Sequence, residues 1–364
     1  MSTLADIRVY DTLQQLPSPL QALCKDDEAT SFFLSHAWFD NLSRTGLDAA
    51  MQTRVYAIAA PSGDPLMLLP MCHAKLSARS GTRRLQSLSN YYSSLYAPLA
   101  TSQAALDALP RLAGFIAAER PRWDIVDFRP LAGDSTLTAT LEQALRSAGM
   151  AVQRYFCFGN WYLPVEGRTF QQYFDTLPSR LRNTVRRRSN QLAAAHALDI
   201  RILQTVEDID EGIRAYSSVY AASWKQSEPH PDFMPSLIRL CAVRGWLRLG
   251  VAYIDGEPAA AQLWIVQNRT ASIYKLAYDE RFAKLSVGSV LTSRLMQHVI
   301  DVDAVAEVDY LTGDEVYKRD WMSHRRERWG VMAYNLRTWR GRLAAALNLG
   351  KSAIKRLRRA LPLG

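Results

Sequence analysis

No cysteine pair, no histidine pair and no long apolar run occurs in this chain of 364 residues. Its four cysteines, Cys24, Cys72, Cys157 and Cys241, stand singly, without a CxxC spacing. That excludes a disulfide framework and the usual zinc motifs, and it fits a reducing compartment. The six histidines show no HxxxH or HExxH spacing, so no metal is expected. The longest apolar run, Pro65 to Cys72, is far too short to cross a bilayer. The amino-terminal stretch carries Asp6, Asp11, Lys25 and Asp26 and has no apolar core, unlike a secretory signal. A cytoplasmic protein is the expectation.

What is present is globular in character, with 48% apolar and 22% charged residues. The length leaves room for two domains. A formal charge of +9 suits polyanionic company: CoA phosphates, nucleotide sugars, nucleic acid or an anionic membrane.

In the first half, aromatic anchors mark a helix over 30–42, and strands over 54–60 and 66–74 flank the turn Pro61-Ser-Gly-Asp-Pro65. An extended stretch to Leu99 holds Asn90 to Tyr96, which reads either as pocket lining or as a wet sheet surface. A helix over 104–118, a buried strand over 123–128, a helix over 134–148 and a strand over 150–158 follow. The second half begins with a helix from Leu177 that crowds Arg180, Arg182, Arg186, Arg187 and Arg188. Those arginines make either a solvated face or an anion site. Thr205 to Asp208 resembles a capping box. A meander comes next, over 246–254, 259–266 and 271–278, with Asp255-Gly256 at its first turn. The order then repeats: helix, strand, helix, strand. Val126-Asp127-Phe128 echoes Val308-Asp309-Tyr310. The repeat assigns residues 1–158 and 159–338 to two like domains and leaves 339–364 as a basic amphipathic helix.

The stretch AVAEVDYLTGDEVYKRDW, residues 304–321, ends a buried strand on Thr312-Gly313-Asp314 and continues into an amphipathic segment. Alone it is either a turn with a capped helix or the mouth of a ligand site. DYLTGDEVYKRDW resembles the signature of the CelD-like, cellulose-biosynthesis-type branch of the GNAT acetyltransferases, and more distantly Fem-type peptidyltransferases. The resemblance implies an α/β (α+β) fold of tandem GNAT-like domains, with mixed, mostly antiparallel sheets flanked by helices. It further implies acyl transfer from acetyl-CoA or another acyl-CoA to an amine, with an amino sugar or other exopolysaccharide or envelope precursor as the acceptor.

Such chemistry needs a pyrophosphate cradle, and Ser286, Val287, Gly288 and Ser289, with Lys284 near by, open a helix where one would lie. The same residues equally make a plain serine cap. The usual Arg/Gln-x-x-Gly-x-Gly/Ala fingerprint is missing. By the family's geometry, strands 272–278 and 306–311 splay to receive the acyl arm. Asp309 and Asp314 are the candidate bases, Tyr317 the candidate acid, and Lys318 a steadying cation. Lys275 and Tyr278 on the first strand, with Trp224 and His230 before it, complete the expected substrate contacts. His230 is either an acceptor-side base or a solvent-facing loop residue. One working site is expected, in the second half, with the first half shaping the acceptor cleft.

Two rival readings stand beside this one. A Fem-type transferase using aminoacyl-tRNA would hold RNA on the arginines at 180–188, although no heptads mark a coiled-coil arm and nucleic acid is not expected. A catalytically degenerate assembly factor at the membrane is the other. The tail sets Leu343, Leu347, Ile354, Leu357 and Leu361 among lysines and arginines, which suits an anionic membrane surface or docking on the protein itself.

Overall fold

Two compact units make up the chain: one of residues 1–29, 33–158 and 327–364, the other of residues 30–32 and 159–326. The computed structural model describes residues 6–24, 30–75, 81–100 and 102–360. Cys24's side chain, Lys25, Asp26 and the side chains of the expected tail helix from 351 onward lie outside the described residues.

In the first unit, strands β1 (Asp6–Tyr10), β2 (Met51–Ala59), β3 (Pro65–Ala74) and β4 (Arg84–Ser87) pair antiparallel in that order. The short β5 (Leu99–Ala100) pairs with β3. β6 (Ile125–Ala132) joins β4 in parallel. Helices α1 (Ser18–Gln21), α2 (His36–Thr45), α3 (Gln103–Ala118) and α4 (Thr136–Ser147) flank them.

β7 (Met150–Pro164) leaves this unit and enters the second. There follow α5 (Phe170–Thr176), α6 (Ser179–Ala195), β8 (Leu198–Leu203), α7 (Ile209–Ala221), α8 (Phe233–Val243), β9 (Leu247–Ile254), β10 (Glu257–Gln267), β11 (Thr270–Tyr278), α9 (Val287–Asp301), β12 (Glu307–Asp309) and α10 (Val316–Trp321). β8, β9, β10 and β11 pair antiparallel in order, β11 and β12 pair in parallel, and β12 pairs antiparallel with the end of β7. β13 (His324–Asn335) returns to the first unit and pairs antiparallel with β6, and α11 (Trp339–Ala360) closes the chain. Residues 327–338, expected in the second half, therefore cluster with the first unit, because their ladder is with β6.

Setting aside the short β5, each unit thus carries one run of pairings: three antiparallel, one parallel, one antiparallel. Local chemistry fixes the second unit's meander. Asp255 and Gly256 both take positive φ, +52° and +85°, as do Asn268 and Arg269 at the next hairpin, +48° and +57°, which is the requirement of tight two-residue hairpins. Residues 259–265 of β10 are all buried, as befits a central strand covered on both faces. α9 packs Leu291 and Leu295 onto β9 at Gly250, where a Cβ would lie 2.7 Å from Leu295 Cδ1. The expected capping box at Thr205 is absent. Asp208 instead accepts from the amides of Gln204 and Thr205, both at 3.1 Å, and helix α7 starts after it.

Candidate active site in the second unit

β11 and β12 register at only three positions, the last being Ser272 with Asp309. Beyond them β11 continues to Tyr278 while β12 stops. Two local features part the chains. β11 bulges at Tyr274, since Leu263 pairs with Lys275 and Trp264 with Ile273; a bulge bends its strand and breaks the ladder. On the other lip Leu311 adopts φ +56°, and the chain past Asp309 follows β7. Tyr310 N donates to Trp161 O at 2.9 Å, and Gly313 N donates to Gly159 O at 3.2 Å. Asn160 Nδ2 donates to Leu311 O at 3.0 Å. A wedge opens between residues 273–278 and 310–314.

The first turn of α9 lies at this wedge: a Cβ at Gly288 would stand 3.5 Å from Tyr278 Cδ1. Ser286 turns into the helix with φ +54°, and the side chain of Val287 is buried in the core. Ser289 N bonds back to Ser286 O at 3.0 Å. The amides of Val287 and Gly288 are left without a helical acceptor, at the positive end of a 15-residue helix. The turn is pinned from the sheet. Buried Gln262 donates to Gly288 O at 2.9 Å and to Thr292 Oγ1 at 2.8 Å, and Trp264 Nε1 fixes its amide at 3.0 Å. Tyr310 is buried on the opposite lip; burial, then Tyr317, pushes its phenol far above the ordinary range.

The expected catalytic set divides. Asp309 is 5% exposed. Its carboxylate accepts from Asn160 Nδ2 at 2.5 Å, from Leu311 N at 2.7 Å and from Arg326 Nη2 at 2.5 Å. With three donors on its two oxygens, Asp309 holds the strand end and keeps one further acceptor position, on Oδ2. Asp314 faces β7, paired with Arg325 at 2.7 Å and with Trp161 Nε1 at 2.7 Å. Arg325 holds its carboxyl below the usual carboxylate range. Both carboxylates are engaged by cationic and amide or indole donors. Lys318 is buried, donating to Thr312 O and pairing with Glu315 at 2.9 Å. It locks the turn at Gly313, whose φ of +113° and contact with the Glu315 carboxylate admit no side chain. Tyr317 meets Tyr310 edge-on at 5.6 Å. Its phenol, pushed up to about 12 by burial and then by Glu315, keeps its proton at neutral pH and can act as a donor.

Of the expected binding residues, Lys284 is exposed beside the α9 start. Arg281 is taken by Asp279 at 2.8 Å and Glu257 at 3.1 Å. Trp224 packs on Tyr278 with centroids 4.5 Å apart, and Lys275 pairs with Glu228 at 2.8 Å. His230 sits two residues past Glu228, its carbonyl accepting Phe233 N at 3.0 Å. Sequence reasoning missed the residues that shape the wedge: Asn160, Gln262, Thr292 and Arg326. Gln262 alone left a signal, a single amide in the apolar run AAAQLWIV.

Residues 179–319 match the family model described as an acetyltransferase (GNAT) domain. The fold is a tandem GNAT-like fold. Among solved structures, FemX matches with a TM-score of 0.61 at 11% identity, covering 93% of this chain and 99% of FemX. L-PGS from Bacillus licheniformis matches at 0.51 and 14%, covering 92% and 96%. The carboxy-terminal domain of a putative lysylphosphatidylglycerol synthetase from Agrobacterium fabrum matches at 0.50 and 13%, covering 87% and 91%. At such identities these likenesses speak for the fold alone. A comparison with curated proteins found no match. The GNAT match covers the wedge, the α9 start and most of α10, so the parting of β11 from β12 lies within the matched residues. Among the described residues no group of three or more His, Cys, Asp or Glu is placed to hold a metal, and no helix is long and apolar enough to cross a membrane.

Proposed function

We propose that the second unit transfers an acyl group from acyl-CoA, acetyl-CoA in the first instance, to an amine. The observation that carries this reading is the wedge between β11 and β12 opening at the free amides of Val287 and Gly288. Those amides suit the pyrophosphate, with Ser286, Ser289 and Lys284 around them. The wedge suits the extended arm that carries the thioester. Tyr317 is the donor to the departing thiolate. Trp224, Lys275, Tyr278 and His230 bound the acceptor side. The acceptor we infer is the amine of an amino sugar or another exopolysaccharide or envelope precursor, on the strength of the resemblance of residues 309–321.

Calorimetric titration of acetyl-CoA and CoA into the full chain tests this reading. Binding in the micromolar range is expected. A Gly288→Trp variant should bind at least ~10-fold more weakly, because its indole would have to displace Tyr278. Absence of binding by the wild-type protein rejects the reading.

One observation favours a second reading, Fem-type transfer from aminoacyl-tRNA. On α6, Arg182 and Arg186 share the single carboxylate of Asp175, at 3.8 and 3.7 Å, while Arg180 and Arg187 stand exposed. An RNA ligand there would bind with an affinity that falls steeply as salt rises.

We also propose peripheral contact between α11 and an anionic membrane. The helix docks through Ala345 onto Ile125 and Tyr334, yet Trp339, Leu343 and Leu347 remain 69%, 53% and 54% exposed at a four-residue spacing, among arginines. A tryptophan and leucine stripe flanked by cations is the pattern of an interfacial helix. Co-sedimentation with phosphatidylglycerol vesicles, lost with Leu343→Glu, is the check.

A further inference from the structure

Three lysines and two glutamates gather about the lips of the wedge. Lys275, on β11, is claimed by Glu228 at 2.8 Å. Lys318, on α10, is claimed by Glu315 at 2.9 Å. Lys225, in the loop after α7, is the odd one out: among the described residues no carboxylate pairs with its ammonium group. Its Nζ lies 5.8 Å from the ring centroids of both Tyr220 and Trp224, and Trp224 in turn packs on Tyr278 at the open end of β11. Lys225 feels charges from both lips, Lys275 on one and Lys318 with Glu315 on the other, and Glu228 from its own loop. Tyr220, which faces it from α7, stacks on Tyr216 with centroids 5.7 Å apart, and among the described residues the buried Tyr216 Oη has no hydrogen-bond partner. Lys225 is thus an unpaired amine, walled by aromatic rings, at the mouth of the wedge.

We propose that Lys225 is a site of self-acylation, its ε-amine taking the acyl group of a thioester held in the wedge when no acceptor amine is present. The proposal rests on the acyl-CoA reading given above. The neutral amine attacks the thioester carbonyl and a C–N bond forms. The C–S bond breaks, and the CoA thiolate leaves and takes up the proton that the nitrogen gives up. An amide and free CoA thiol result, with no further reagent. The environment favours the neutral amine: burial, and then the nearby charge of Lys275, pushes the ammonium down to about 8, while both glutamates that would oppose this are already paired. Compared with an ordinary lysine near ~10.4, the neutral fraction at neutral pH is larger by on the order of 10². A less basic amine is also a weaker nucleophile, which leaves an expected preference of at least ~10-fold over paired or exposed lysines. Acylation removes the one unpaired charge of the cluster and lays an amide beside Trp224 and Tyr278, so excess donor would block its own site.

The test incubates the full-length protein with radiolabelled acetyl-CoA and no added amine across about pH 6.5 to 9.5, and locates the label by peptide mass spectrometry. Lys225 should be acetylated at least ~10-fold faster than Lys275, Lys284 or Lys318, at a rate that rises through about pH 8 and then levels. Lys225→Arg should remove that label, and Lys75→Arg, in the other unit, should leave it unchanged. Urea-unfolded protein should label its lysines evenly. Three outcomes overturn the proposal: even labelling in the folded protein, a rate still climbing at the top of the pH range, or no label on a protein that calorimetry shows to bind acetyl-CoA. Absence of acetyl-CoA binding would instead remove the acyl-CoA reading beneath it.

Discussion

The two units carry the same ladder of pairings but finish their parallel pair differently. In the second unit the β11–β12 ladder ends at Ser272 and Asp309, and the chains part. In the first, β4 and β6 pair in register from Arg84 with Ile125 to Gln86 with Asp127, and the space beyond is closed by the chain itself. Ser87 Oγ and Ser89 Oγ donate to Arg129 O at 2.7 and 2.5 Å. Tyr96 N donates to Pro130 O at 2.6 Å, and its wholly buried side chain donates to Pro70 O at 2.8 Å. The segment between β4 and β5 therefore fills the place that stands open in the other unit. A β-strand edge must satisfy its backbone groups somehow. One unit does so with its own chain, and the other leaves a slot a ligand can satisfy. The helix starts differ in the same sense: α3 opens on Ser102-Gln103-Ala104, without a glycine, whereas α9 opens on Ser286-Val287-Gly288.

The largest expected effect tests this asymmetry directly. Gly288→Trp should weaken acetyl-CoA binding by at least ~10-fold, and Ala104→Trp, at the exposed start of α3, should leave it unchanged. Equal losses in the two variants, measured by calorimetry with circular dichroism as the folding control, would mean that the first unit also binds, and the contrast drawn from the closed and open wedges would fail.

Much of the architecture was legible in the sequence, and what was missed has physical reasons. The meander, α9 and the 304–321 stretch could be read because their cores are periodic and their turns demand Asp-Gly or glycine. Both missed strands are the edge strand of a unit. β1 and β8 alternate exposed and half-buried residues, and LDIRIL puts charges on its open face, so neither shows an apolar run. The strand expected over 150–158 fell short of Pro164 because β7 runs from one unit into the other, which no local pattern signals. Asp309 and Asp314 were rightly placed at a strand end, but their type suggested a base. Only the coordinates of Arg326, Asn160 and Arg325, distant or unremarkable in sequence, reveal carboxylates already occupied by donors. Lys225 carries no sequence signal, because only the fold shows that Lys275 holds the nearby Glu228.

The matched aspartates give a second, smaller contrast. Asp309 forms a part-buried pair with Arg326 at 2.5 Å. Asp127, its counterpart, accepts from Tyr155 Oη at 2.7 Å, with Arg129 and Arg84 farther off at 3.8 and 4.0 Å. Asp309→Asn turns an amide toward a guanidinium and removes the charge that offsets its burial. A loss of about 2–3 kcal/mol is expected from the shift of the urea midpoint. Asp127→Asn keeps an acceptor for Tyr155 and should cost about 1 kcal/mol. The reverse order would show that the first unit relies on its buried acid as heavily as the second does.

The smallest effect concerns the turn after each of these strands, Gly133-Asp134 in one unit and Gly313-Asp314 in the other. Asp134 is exposed, and among the described residues no side chain pairs with it. Asp314 is held by Arg325 and Trp161, which lower its carboxyl below the usual range. Because the folded carboxyl titrates below its unfolded value, its stabilisation is complete above the unfolded value near ~4 and is lost as pH falls through the folded one. The pair is half exposed, with relative exposures of 30% and 46%, so solvent screening limits the effect to about 0.5 kcal/mol. Asp314→Asn should thus lower the urea midpoint slightly at pH 7, and the difference from wild type should vanish toward about pH 2. Asp134→Asn should change nothing at either pH. A difference for Asp314→Asn that persisted in acid would mean that the residue acts through the shape of the Gly313 turn rather than through its charge. The anchoring of the open lip would then fall to Asn160 and the backbone bonds to β7 alone.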